Sequence, residues 1–215
     1  CEVVVHAVAG GPKDILGTLS PVYRAARQAG VRRLVYLSSA AVHGQAPEPG
    51  TTEDSPLSRR QPIPYNNAKV RAEGILKELR TAGKVETVIL RPGIVLGPRS
   101  SWVAGFAEGL IAETACLTNR GRGICNSIYV DNLIQAIYLA ATTSGVDGEA
   151  FLVGDGETVT WADLYAPIAR ALGFDLATVP EAALPEPTRR TILDHFDGLR
   201  GSGPGQAFLS FFPDK

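Results

Sequence analysis

Tyr65 and Lys69 stand four residues apart, and Ser39 closes an apolar run well upstream of them. On a helix, residues i and i+4 share one face with their side chains a turn apart. A free phenol titrates near ~10 and is a poor base at neutral pH, and an adjacent ammonium is expected to favour the phenolate and lower that value. Such a pair can accept or return an alcohol proton as a hydride leaves the same carbon. The ammonium carries three donors, enough to hold a ribose hydroxyl of a nicotinamide cofactor while it tunes the phenol. A serine hydroxyl nearby can bind the substrate oxygen throughout. In a chain with six tyrosines the Tyr-x-x-x-Lys spacing alone carries little, so its weight rests on the elements that place it.

An apolar strand at about residues 2–8 leads into Gly10-Gly11-Pro12 and a helical pattern that Gly30 stops. Arg33 through Leu37 reads as a second buried strand, giving a strand-helix-strand unit and hence a parallel sheet. Ser39 then lies at a strand's carboxyl end. Residues 44–64 lack periodicity and are rich in Pro, Gly, Thr and Ser, which marks a loop lining a site. A helix is expected from Tyr65 to Arg80, stopping near Gly83, and a third strand over Val85–Leu90. Residues 91–98 read as a Gly/Pro-punctuated loop at that strand's carboxyl end, where open α/β sheets bind ligands. Further helices are expected at about 101–113, 131–142 and 161–172, the last capped by Thr160, with a fourth strand at 149–153. An amphipathic stretch follows near 191–199.

Four segments occur in order: Leu34-Val35-Tyr36-Leu37-Ser38-Ser39-Ala40-Ala41-Val42-His43-Gly44, Tyr65-Asn66-Asn67-Ala68-Lys69, Leu90 through Pro98, and Ile128-Tyr129-Val130-Asp131-Asn132. Together they resemble the signature blocks of the extended short-chain dehydrogenase/reductase family, the NAD-dependent epimerase/dehydratase type. The resemblance implies a doubly wound, mostly parallel α/β Rossmann-like sheet over about residues 1–155. It also implies a small substrate lobe built from about 99–128 and 156–215. It assigns Ser39, Tyr65 and Lys69 as the catalytic triad, Ser39 because it stands five residues before Gly44, and leaves Ser38 structural. It places Ala7, Ala9, Tyr65, Lys69, Pro92, Gly93 and Val95 against NAD or NADP, and Ser39, Arg99 and Asn126 toward the substrate. It further implies a homodimer through the helices near 12–29 and 65–81.

Two departures bear on this expectation. The family's Gly-x-x-Gly-x-x-Gly turn, which holds a pyrophosphate on backbone amides, is absent; the chain begins within a strand and has no methionine. It therefore reads as lacking the adenosine-binding strands, and is expected to bind dinucleotide weakly. Second, nucleotide-sugar members carry an arginine where Cys125 stands before Asn126, and Gly121-Arg122-Gly123-Ile124-Cys125-Asn126 looks more like the 3β-hydroxysteroid dehydrogenase and dihydroflavonol-reductase branch. His43 occupies a place where relatives often have tyrosine and reads as a packed residue. Trp102 and Trp161 read as core anchors.

The formal charge of −1 gives no electrostatic footprint for nucleic acid. No apolar run reaches the roughly 18 residues of a membrane span, which points to a cytoplasmic protein with a small-molecule substrate. Three cysteines without Cys-x-x-Cys spacing argue against a structural metal, and His6, His43 and His195 have no ligand spacing. The expected activity is hydride transfer at a secondary alcohol or ketone. The rival expectations are a dinucleotide sensor or scaffold that keeps the fold without turnover, and an inactive fragment.

Overall fold

The computed structural model describes residues 1–182. Along the chain run β1 (Val3–His6), α1 (Pro12–Gln28), β2 (Arg33–Leu37), a 3-10 turn (Ala40–His43), α2 (Pro64–Ala82), β3 (Glu86–Pro92), β4 (Ile94–Leu96), α3 (Ser101–Ile111), β5 (Leu117–Thr118), β6 (Ser127–Tyr129), α4 (Val130–Thr142), β7 (Ala150–Val153), α5 (Trp161–Ala171) and β8 (Glu181–Ala182). β1, β2, β3 and β7 form one sheet in that order, and every pairing is parallel. This is the expected α/β Rossmann-like architecture.

Because strand side chains alternate in direction, β2 serves both faces. Leu34 and Tyr36 pack with Ile15, Leu19 and Tyr23 of α1 and with Ala68, Ala72 and Leu76 of α2. Val35 joins Val88, Leu90 and Ala140 on the opposite face, beneath α4. A buried strand reads as a continuous apolar run for this reason. Arg33, only 1% exposed, donates from Nη1 to the carbonyls of Ala140 and Thr143 at 2.7 Å each, so a cation closes the electronegative end of α4.

Local signals set the helix ends. At α1, Pro12 follows Gly11, whose amide donates to Asp14 Oδ2 at 3.3 Å, and Gly30 at φ 67° takes the left-handed turn after the helix. At α5, Thr160 Oγ1 accepts from the Asp163 amide at 3.1 Å while the Thr160 amide donates back to Asp163 at 2.9 Å. This is a reciprocal capping box.

Several expectations need correction. β1 is shorter than 2–8 and lies at an edge of the described sheet, leaving Val5 44% exposed rather than buried. Residues 91–98 are not a plain loop: β3 continues to Pro92, and β4 pairs in parallel with β6 as a separate two-stranded sheet. Gly93 permits the close approach, since a Cβ there would lie 2.0 Å from the Asn126 carbonyl oxygen. The β5 and β8 pair, two residues each, is too short to show a sequence period. Trp102 is 48% exposed and meets Trp161 at a ring distance of 5.7 Å, so it flanks a core instead of anchoring it. That core is a separate cluster of Phe106, Leu110, Leu117, Tyr165 and Ala169 between α3 and α5. The amphipathic stretch near 191–199 and His195 lie outside the described residues.

Candidate active site

Ser39 follows β2 in extended conformation and caps the 3-10 turn, its Oγ accepting from the Ala41 amide at 3.2 Å. Tyr65 sits in the first turn of α2, directly after Pro64. Gln61 aims that turn at the serine. Its side-chain amide donates to the carbonyls of Ala41 at 2.8 Å and Ser58 at 3.1 Å, and its Oε1 accepts from Asn66 at 2.8 Å. Asn67 then accepts from the Gln61 amide at 2.9 Å and donates to its carbonyl at 2.7 Å. The end of the 44–64 segment is thereby stitched to both the 3-10 turn and α2, and the Ser39 hydroxyl is near enough to the Tyr65 phenol to favour its ionised form.

One turn along, Lys69 is 2% exposed. Its ammonium donates to the Leu37 carbonyl at 2.7 Å and the Val8 carbonyl at 3.3 Å, and lies 5.0 and 5.7 Å from the ring centroids of Tyr36 and Tyr65. Burial pulls the lysine down to about 8, with the Glu73 carboxylate opposing the fall. Tyr65 moves opposite to expectation. Burial raises its phenol above the ordinary value, and the Ser39 hydrogen bond offsets only part of that rise. The ammonium is turned toward two backbone carbonyls, so in this state desolvation outweighs its pull on the phenol.

Beneath this trio lies a polar cluster that sequence reasoning missed. Glu73, a further turn along α2 and 5% exposed, is clasped by Arg91 through Nε to Oε1 at 3.1 Å and Nη2 to Oε2 at 2.9 Å. Ser38 Oγ donates to the same Oε1 at 2.5 Å. Arg91 Nη1 donates to the Glu53 carbonyl at 2.8 Å and meets His43 Nε2 at 3.2 Å. A guanidinium only donates, so His43 accepts there and its ring is neutral. Burial and the Arg91 charge both hold the imidazole below its ordinary value. The available signal was the repeat of four, Tyr65, Lys69 and Glu73 lying on one helical stripe, with an arginine ending a buried strand.

The other expected residues distribute along two rims. Ala7 and Ala9 are exposed just past β1, flanking the carbonyl that Lys69 holds. Pro92 is buried and Gly93 half-buried at the end of β3, where the Gly93 amide donates to Val153 at 3.0 Å. Since β1, β2 and β3 run parallel, Ala7 to Ala9, Ser39 and Pro92–Gly93 all follow the carboxyl ends of neighbouring strands. Val95 lies in β4, and the Asn126 carbonyl accepts from Ile94 at 2.7 Å, which leaves the exposed Asn126 side chain on the β4–β6 side. Arg99 is exposed in left-handed backbone at φ 64° ahead of α3. Small exposed residues after β1, and a lysine with two of three donors committed to carbonyls, fit the nicotinamide half of a dinucleotide.

Among the described residues no helix is long and apolar enough to cross a membrane. In curated proteins the chain is 32% identical over 168 residues to a UDP-glucose 4-epimerase of Mycolicibacterium smegmatis, covering 74% of this chain and 52% of that one. It is 33% identical over 164 residues to a 3-diazoavenalumate denitrifying reductase of Streptomyces, covering 75% and 53%. The chain thus spans about half the length of these relatives. The fold superposes with a TM-score of 0.70 and 17% identity on a Bacillus cereus UDP-glucuronic acid 4-epimerase solved with UDP-glucuronic acid and NAD, covering 84% of this chain and 62% of that one. Residues 13–154 match the NAD dependent epimerase/dehydratase family, and this chain belongs to it.

Proposed function

We propose that the protein is an NAD- or NADP-dependent oxidoreductase or epimerase/dehydratase acting at a secondary alcohol or ketone. The observation that carries this reading is the buried Lys69 one turn from Tyr65 on α2, held to the Leu37 carbonyl at the end of the strand that Ser39 follows, at the carboxyl ends of parallel strands. When bound, the nicotinamide accepts or returns the hydride. Tyr65 gives and takes the alcohol proton, Ser39 binds the reacting oxygen, and Lys69 supplies positive charge and a donor to a ribose hydroxyl. A protonated, raised phenol is suited to donating toward a carbonyl oxygen. The exposed small residues Ala7 and Ala9, together with Pro92, Gly93 and Val95, would line the cofactor. Arg99 and Asn126 would face the substrate.

The substrate class is open between two chemistries. A nucleotide sugar is favoured by the epimerase relatives, whereas Cys125 in the place of a diphosphate-binding arginine favours a less charged ketone of the steroid or flavonoid type. Association of two copies through α1 and α2 belongs to the same proposal. Product formation from UDP-glucose and from a 3β-hydroxysteroid, assayed separately with NAD and NADP, decides between the substrates. Tyr65→Phe is expected to lose turnover on the accepted one by orders of magnitude while keeping cofactor affinity. Unchanged turnover would reject the enzymatic role of the phenol, and a cofactor response with turnover on neither would favour a sensor.

A further inference from the structure

We propose that Glu73 is a positioning residue for the Tyr65–Lys69 pair, with Arg91 and Ser38 as the clasp that fixes its carboxylate. The proposal rests on the reading of Tyr65 and Lys69 as the acid/base pair.

A buried carboxylate is costly unless its oxygens are satisfied, and a well-packed apolar group would fill the same volume at least as well. Glu73 accepts three short hydrogen bonds, two from Arg91 and one from Ser38. Each donor belongs to a different piece of the site. Ser38 immediately precedes Ser39, and its amide is tied to the Leu90 carbonyl at 2.7 Å, so the carboxylate fixes the strand end that presents Ser39. Arg91 precedes Pro92 at the end of β3 and also holds the Glu53 carbonyl and His43, the residue that closes the 3-10 turn capped by Ser39. The Glu53 carboxylate in turn accepts from the Leu152 amide of β7 at 3.0 Å. One carboxylate–guanidinium pair therefore locks α2, the end of β2, the 3-10 turn, the 44–64 segment and β3 in a single register. That register sets how Ser39 meets Tyr65.

The carboxylate also sits one helical turn from the Lys69 ammonium. The other groups facing Lys69 are Tyr65 on its own helix, Tyr36 on β2 and His6 on β1, with Arg91 on β3 behind Glu73. Glu73 is the carboxylate in this set, and it works against deprotonation of the lysine.

The test is the ammonium titration of Lys69, followed by NMR on the 215-residue chain with isotope-labelled lysine side chains and assigned through Lys69→Arg. Glu73→Gln is expected to lower its midpoint by about one pH unit, because the remaining Arg91 charge is then unopposed. Ser38→Ala, which spares the Arg91 pair, should shift it less and in the same direction, and Glu73→Asp should restore part of it. Leu76→Ala, buried on the same helix, serves as the control for simple loss of stability: it lowers Tm and leaves the midpoint in place. An unchanged midpoint in Glu73→Gln, or an equal shift in Leu76→Ala, overturns the proposal. If Glu73→Gln does not fold, Ser38→Ala decides by the same criterion. A shifted midpoint with unimpaired turnover in Tyr65→Phe would keep the positioning role and reject the functional reading on which it rests.

Discussion

At the scale of single residues, the site is governed by desolvation. Lys69 and Tyr65 are both pushed toward their neutral forms by burial, and the Glu73 carboxylate beside the lysine and the Ser39 hydroxyl beside the phenol only moderate the effect. His43 follows the same rule with a consequence for stability. Its folded-state value is depressed below 6.5, so between that value and 6.5 the unfolded chain binds the extra proton. The stabilisation by neutral His43 is therefore complete above pH 6.5 and is lost as the pH falls, because a protonated ring would confront Arg91 donor to donor. His43→Gln keeps an acceptor where Nε2 lies and removes the titration. Denaturant midpoints measured from pH 7 down to about 5, above the range of most carboxylates, should fall less steeply in this variant than in the wild type. His6, also depressed by burial, contributes to the slope that remains.

At the scale of elements, the β3–β4 junction is where a turn-like sequence proves to be structure. Gly93 sits against the Asn126 backbone, and a Cβ there would lie 2.8 Å from the Asn126 carbonyl carbon as well. Gly93→Ala should therefore cost about 2 kcal/mol of unfolding free energy, read by urea denaturation, since backbone on both sides must separate. An undiminished stability would mean that the β4–β6 pair can shift freely. The same junction explains what the sequence showed and what it hid. The helices over 12–28 and 64–82 and the strand Arg33–Leu37 announce themselves through periodicity and stop signals, and the trio Ser39, Tyr65 and Lys69 through spacing. Gly93 and Pro92 look like a loop because three-residue strands show no period, and the reason for the glycine is an oxygen more than thirty residues away in the sequence. Glu73 and Arg91 were missed because a charged residue on a helix or strand is ordinarily solvent-exposed. Only the tertiary contact reveals that each is buried by the other. The raised Tyr65 phenol was equally hidden, since spacing indicates a nearby ammonium and says nothing of how dry the pair is.

At the scale of the whole molecule, two of the three apolar clusters among the described residues divide the labour, the third packing the opposite face of the sheet beneath α4. One, around α1, α2 and β2, carries Ser39, Tyr65 and Lys69 on its upper edge, and the other joins α3 to α5. In the second, Phe106 and Tyr165 stack with ring centroids 3.8 Å apart and planes 9° from parallel. Phe106→Ala should cost about 3 kcal/mol by calorimetry and leave the Lys69 titration where it was, because the aromatic stack belongs to a different cluster from the lysine. A displaced titration would mean that the two clusters act as one. The curated relatives span roughly twice the length matched here, and the activity proposed for this chain rests on the side chains that its parallel strands bring to one edge.

The most direct measurement is a double-mutant cycle on turnover with Ser39→Ala, Tyr65→Phe and both together, with cofactor affinity recorded for each. If the two hydroxyls act as one proton-handling unit, either single change lowers turnover by orders of magnitude, the double variant is little worse than the poorer single, and cofactor affinity is retained. Losses that simply multiply, or single variants that turn over like wild type, would contradict that unit.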